Sequence, residues 1–299
     1  MAPPNNLWDL INESHHIIKA NPRHFLTLSL IFLLLFPLSL SILLSRILSY
    51  LFITFSPTNL QQQIIVLLCS LFSLVVSNCG VISITYSVFH FFNDQPLNLK
   101  SAIKSIPTSF LPLFATIIVY QAIISFISHF YGLLMATVIN GIAGAVRFDN
   151  VTILYFINLI ASLPLVLVSI YLQVNWTLVS VIVVVESCWG IEPLRRSARL
   201  VKGMKGVALS SFLFYGFLTG IIEFGSNCVF FTTEIWFQWV FMVLGSLFLA
   251  MITLSKIAAN TVLYIYCKAN HGENIAEEFG REYVNLPFPD GNVSHADAV

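Results

Sequence analysis

Six apolar runs, at about residues 25–45, 64–92, 110–139, 152–185, 207–224 and 236–266, constrain this chain more than any other feature. A helix rises 1.5 Å per residue, so about 20 residues cross a hydrocarbon core of about 30 Å, and each run approaches or exceeds that length. Lipid offers the backbone no hydrogen-bond partner, so a crossing segment satisfies its own amides as a helix. Composition agrees: 57% of residues are hydrophobic and 9% charged, against about 25% charged in ordinary soluble domains. The predicted fold class is all-α, a polytopic membrane protein of six transmembrane helices. A polar segment at 1–24 precedes the membrane domain at 25–266, and a tail at 267–299 follows it. The first run reads as a retained span, because the polar segment before it is long and no small-x-small cleavage pattern follows before Arg46.

The least apolar connection runs from Glu186 to Gly206 and holds Arg195, Arg196, Arg199, Lys202 and Lys205, five of the fourteen Lys and Arg residues. Pro193 suits a first helical turn and Gly203 a helix end, while Arg199 and Lys202 fall where the helix dipole favours cations. Ile191, Leu194, Ala198 and Val201 make one apolar stripe flanked by the basic residues. This spacing predicts a helix lying in the membrane interface, with the cations meeting anionic lipid or a partner. Two further helices of this kind are expected. Leu7 to Ala20 places Leu7, Leu10, Ile11, Ile17 and Ile18 on one side and Asp9, Asn12, Glu13, His16 and Lys19 on the other. Between Pro96 and Pro107, Leu99, Ala102, Ile103 and Ile106 share a face beside Lys100 and Lys104. Counted this way, the chain is three repeats of one surface helix and two crossings, a pattern of spacing rather than of letters.

Orientation follows from the cations. Six spans put both ends and the connections at 93–109 and 186–206 on one side with eleven Lys and Arg, leaving Arg46 and Arg147 opposite and Lys256 inside a span. The positive-inside rule makes that side cytosolic. The sequon at Asn150-Val-Thr152 then faces away from the cytosol, too near the membrane to be used. The fourth run is too long for an upright crossing and is expected to tilt, to kink near Pro164, or to project. A turn is expected at Gly141-Ile-Ala-Gly144, another around Asn227 and Glu234, and an acidic helical piece at 273–284.

Polar residues within the spans are few. Asn158, Gln173, Asn175 and Asn260 could line a path for a solute or lipid, although hydrogen bonding between helices accounts for such residues more simply. Asn78 and Gly80 read as helix contacts. Twenty residues of helix from Trp236 carry Lys256 to the side of the membrane where Glu186 lies, so a structural ion pair between Glu186 and Lys256 is expected. His15 and His16 point to different faces and make a poor metal pair. Of the five cysteines, Cys188 and Cys267 fall near the cytosolic interface, where packing is the first reading and palmitoylation the second.

The residues Val174-Asn-Trp-Thr-Leu-Val-Ser-Val-Ile-Val-Val-Val-Glu186 and Gly190-Ile-Glu-Pro-Leu-Arg-Arg-Ser-Ala-Arg-Leu-Val-Lys-Gly203 resemble the signature region of a family of plant six-span proteins of unknown function. With the Asn21-Pro-Arg-His-Phe25 approach to the first span, the resemblance covers most of the chain. The same stretch is similar to the membrane domain found with some bacterial glycerophosphoryl diester phosphodiesterases, in which a glutamate closes a span and a Leu-x-x-Ser-x-x-Leu-x-x-Gly helix follows. Those positions here are Glu186, Leu194, Ser197, Leu200 and Gly203. The resemblance implies the endoplasmic reticulum or another endomembrane. It implies no hydrolysis, because the chain shows no phosphodiesterase catalytic domain.

No metalloprotease, phosphate-loop, serine-elbow or paired-aspartate pattern is present, and the connections are short, so no enzyme, cofactor, metal or nucleic-acid partner is expected. The expected function is that of a non-catalytic accessory, scaffold or lipid-contacting membrane protein, with membrane lipids and a membrane-protein partner as its contacts. The alternative is a transporter or channel for a small solute or lipid.

Overall fold

A computed structural model of the chain describes residues 6–35, 60–92, 99–146, 151–232 and 235–273. Among them all regular elements are helical. In order they are α1 (Leu7–Ala20), α2 (Pro22–Leu28) continued by a π-helical segment (Ser29–Leu35), α3 (Leu60–Phe92), α4 (Leu99–Lys104) and α5 (Ile106–Val146). Then come α6 (Val151–Asn175), α7 (Val179–Glu186), α8 (Glu192–Leu200) with a 3-10 turn (Val201–Gly203), α9 (Lys205–Thr232) and α10 (Ile235–Asn270). Five stretches are long and apolar enough to cross a membrane: Ser70–Phe92, Ile106–Val138, Leu159–Glu186, Lys205–Gly225 and Trp236–Asn270. They correspond to the second through sixth expected runs. The first run is described only as far as Leu35, and its remainder lies outside the described residues.

The second half of α10 is the centre of the bundle. Leu254, Ala258, Ala259, Thr261, Val262, Leu263 and Tyr264 are each fully buried. Helices α1, α3, α7 and α9 and the π-helical segment all pack on α10. The outer surface is the reverse. Leu111, Phe126, Leu167, Phe217, Phe224 and Trp236 are between 66% and 73% exposed, apolar surface that lipid would cover.

Three expectations about the elements are corrected. Pro164 lies inside the uninterrupted α6, and the fourth run breaks instead at 176–178, between α6 and α7. Gly141 to Gly144 belong to α5 rather than to a turn, and Asn227 lies within α9; the apolar residues around them sustain the helical ladder past the glycines and the amide. Glu234 and residues 274–284 lie outside the described residues.

The short helices pack differently from helices resting on lipid. In α1 the buried side chains are Leu10, Ser14, Ile17 and Ile18, and the element they pack on is chiefly α10. In α8 they are Pro193, Leu194, Ser197 and Leu200, while Ile191, expected on the apolar stripe, is exposed. In α4 only Ala102 is buried and Ile103 is exposed. The apolar faces of α1 and α8 are therefore occupied by the protein itself.

Candidate functional site

The break in the fourth run is built by a residue two elements away. With α6 ending at Asn175 and α7 starting at Val179, the carbonyl of Asn175 and the amide of Leu178 lose regular partners. The Ser197 hydroxyl, fully buried on α8, donates to the Asn175 carbonyl at 2.7 Å and accepts from the Leu178 amide at 3.3 Å. Asn175 turns its own amide back onto the Tyr171 carbonyl at 2.7 Å. Ser197 is the serine of the Leu-x-x-Ser-x-x-Leu-x-x-Gly pattern, and the other positions also face inward. Leu194 and Leu200 are buried, and a side chain on Gly203 would meet the Asn270 amide at 2.5 Å. After α7 the chain reverses through Ser187 at φ 53° and Gly190 at φ 77°, whose amide donates to the Thr116 hydroxyl on α5 at 3.0 Å.

Glu186 closes α7 and meets Arg196, not Lys256. Arg196 Nε lies 3.3 Å from Glu186 Oε2, and the Tyr264 hydroxyl donates to Glu186 Oε1 at 2.9 Å. The same guanidinium holds Glu273, just beyond α10, through Nη1 to Oε1 at 2.8 Å and a second contact from Nη2 to Oε2. The expected pair fails on position. Lys256 precedes Tyr264 by eight residues, roughly 12 Å along α10, and Arg196 is brought to Glu186 by the turn into α8.

The two carboxylates raise the Arg196 guanidinium above its ordinary value, the hydrogen bond to Glu273 contributing most. That same bond pulls the Glu273 carboxyl below its ordinary value. Because the folded carboxyl binds its proton less readily than the unfolded one, its contribution is complete above the ordinary carboxylate value and is lost as pH falls through the lowered one. Melting temperature measured against pH in micelles is expected to fall across that acidic window in the native chain and to change less in Glu273→Gln. Identical profiles would contradict the assignment.

Of the five expected contact residues, Arg196 is thus engaged internally. Arg195, Arg199, Lys202 and Lys205 are exposed, with Lys205 Nζ 5.9 Å from the centre of the Tyr171 ring. Near them in sequence are the exposed Trp189 and Ile191, and at the other end of the described chain Trp8 is 65% exposed with its ring edge on Phe214. Cys267 is buried, as a packing residue is, and Cys188 is half-buried.

A half-open cavity of about 340 Å³ lies among α3, α5, α9, α10 and the broken α6–α7 pair. Of the four residues expected along a polar path, Gln173 and Asn260 line it. Asn175 does not, since its amide is used locally, and Asn158 lies in α6 but its side chain is outside the described residues. Lys256 and Asn78 join the lining, which was not expected of either. Spacing could have given part of this: Thr253, Lys256 and Asn260 recur at three and four residues, one face of a helix. Among the described residues, no group of His, Cys, Asp and Glu is arranged to hold a metal ion.

Taken together, these features define an all-helical protein with several membrane-length apolar helices, compatible with an integral multi-pass membrane protein, with one broken helix and beside it a mostly apolar cavity that holds a few polar side chains. The chain belongs to the family defined by a domain of unknown function, DUF8558, which matches residues 54–282. No curated protein and no solved structure matches it.

Proposed function

We propose that this chain is a non-catalytic, six-span membrane protein whose cytosolic face contacts anionic lipid, with both ends in the cytosol and an endomembrane as its compartment. The observation that carries the reading is the outward row Arg195, Arg199, Lys202 and Lys205, exposed beside Trp189 and Ile191. Cations next to exposed tryptophan and isoleucine suit the headgroup layer, where each Lys or Arg contributes roughly 1 kcal/mol toward an anionic surface. The buried faces of α1 and α8 refine the expectation, for these helices would lie at the interface as docked parts of the bundle. A membrane-protein partner would meet the same outward row.

Reconstitution into nanodiscs of mixed neutral and anionic lipid tests this reading. Changing Arg195, Arg199 and Lys202 to Gln is expected to remove most of the enrichment of anionic lipid around the protein, read by mass spectrometry of retained lipids, with the melting temperature nearly unchanged. Arg196 is left in place because it serves the fold. Undiminished enrichment in the triple variant would sink the reading.

A further inference from the structure

The cavity contains a cation and several donors with no anion to meet them. Lys256 has no ion pair among the described residues. The Asn78 side-chain amide nitrogen, on a residue only 7% exposed, has no hydrogen-bond partner among the described residues. Gln173 and Asn260 add two further amides, and the walls between them are apolar, formed by residues such as Val81 and Phe212. Val179 and Ser180, the first residues of α7, also line the cavity.

The ammonium and the free amide N–H favour negative charge, and none of the described residues lining the cavity is acidic. An unpaired ammonium and an unsatisfied buried amide are both costly where water is scarce, so the arrangement stabilises a fold only if something else completes it. A volume of about 340 Å³ is at the small end of ligand pockets, which run from about 300 to 1,000 Å³, and admits a headgroup rather than a whole two-chain lipid.

We propose that this cavity is a binding site for a compact oxyanion, best matched by a phosphate that is free or esterified once, with Lys256 as its counter-ion and Asn78, Gln173 and Asn260 as hydrogen-bonding partners. The phosphate could be carried on a membrane amphiphile, whose chain would lie along the apolar walls, or be free in solution. The site is separate from the outward cations of α8. It stands or falls independently of the lipid-contact reading, since the triple Gln variant leaves it intact.

The test uses the full chain in detergent micelles, with dioleoyl phosphatidic acid, inorganic phosphate and dioleoyl phosphatidylcholine as probes and ligand-induced thermal shift as the readout. Phosphatidic acid, alone or with inorganic phosphate, is expected to raise the melting temperature. A response to the lipid alone identifies a headgroup site, and a response to both identifies a site for the free anion as well. Lys256→Met is expected to weaken binding at least about tenfold, as removal of one partner of a desolvated charge pair does. Its ligand-free melting temperature should be no lower than that of the native chain, because the lost charge had no partner. Lys256→Arg is expected to retain part of the affinity, and Asn78→Leu, read separately, to lose several-fold. The proposal is overturned by a response to neither phosphate probe, by phosphatidylcholine binding as tightly as phosphatidic acid, or by unchanged affinity in Lys256→Met. A Lys256→Met protein that unfolds or melts lower would also overturn it, by showing that the ammonium serves the fold.

Discussion

Arg196→Met is expected to lower the stability of the folded chain by about 3 kcal/mol, the order of effect seen when one partner of a largely buried ion pair is removed. The guanidinium holds Glu186, whose side chain is 11% exposed, and Glu273 at once, so its loss leaves one carboxylate with only the Tyr264 hydroxyl and the other with none of its present bonds. The cost falls on the junction of α7, α8 and the end of α10. Unfolding by denaturing detergent, followed by tryptophan fluorescence, reads it directly. Glu186→Gln should cost less, since a neutral amide can still accept from Tyr264 and leaves Glu273 on Arg196. Arg196→Lys should recover only part, because a point charge cannot span two carboxylates as a planar fork does. An Arg196→Met protein as stable as the native one would mean that the cluster is a surface feature and that α8 is held by packing alone.

Ser197→Val should cost about 2–4 kcal/mol beyond the cost of its extra methyl, which Ser197→Thr shares. The hydroxyl is the partner of both the Asn175 carbonyl and the Leu178 amide, and burying a backbone group unpaired costs about 1–3 kcal/mol. Valine supplies neither partner. Hydrogen exchange at Leu178 should rise sharply in the variant, a readout that loss of packing elsewhere would not move. Ser197→Thr, which keeps the hydroxyl, is expected to hold the amide and pay only for an extra methyl in a fully buried position. Slow exchange at Leu178 in Ser197→Val would show that the break in the fourth run does not depend on α8.

How much of this was readable in the letters differs from one element to the next. The membrane-length helices were, because hydrophobicity over twenty residues is a strong signal that no neighbour can cancel. The importance of the 186–203 stretch was also readable, through the pattern at Glu186, Leu194, Ser197, Leu200 and Gly203, though its meaning was not. Those residues dock α8 on a broken helix, whereas composition alone drew attention to the cations that point away. The break at 176–178 carries neither Gly nor Pro, and Pro164 drew the expectation to the wrong place. What stabilises the break is Ser197, nineteen residues beyond Leu178, and local propensity holds no record of so distant a partner. The pairing of Glu186 failed for a related reason. Counting rise along one helix places Lys256 in depth, but whether it meets Glu186 depends on how the chain folds back after α7. Asn78 and Lys256 came together from α3 and α10, a meeting that only the packing of six helices reveals.

The position of α10 bears on how the protein is made. Its buried half is the surface on which α1, α3, α7 and α9 meet, yet it leaves the ribosome after all of them. Until it arrives, the earlier helices cannot close around their shared axis, and their inward groups, Asn78 and Ser83 among them, lack their final neighbours. A chain made helix by helix would therefore pass through an open, waiting set of helices. A stop before residue 254 would remove the surface on which those helices meet, a larger change than a slightly shortened version of the native bundle.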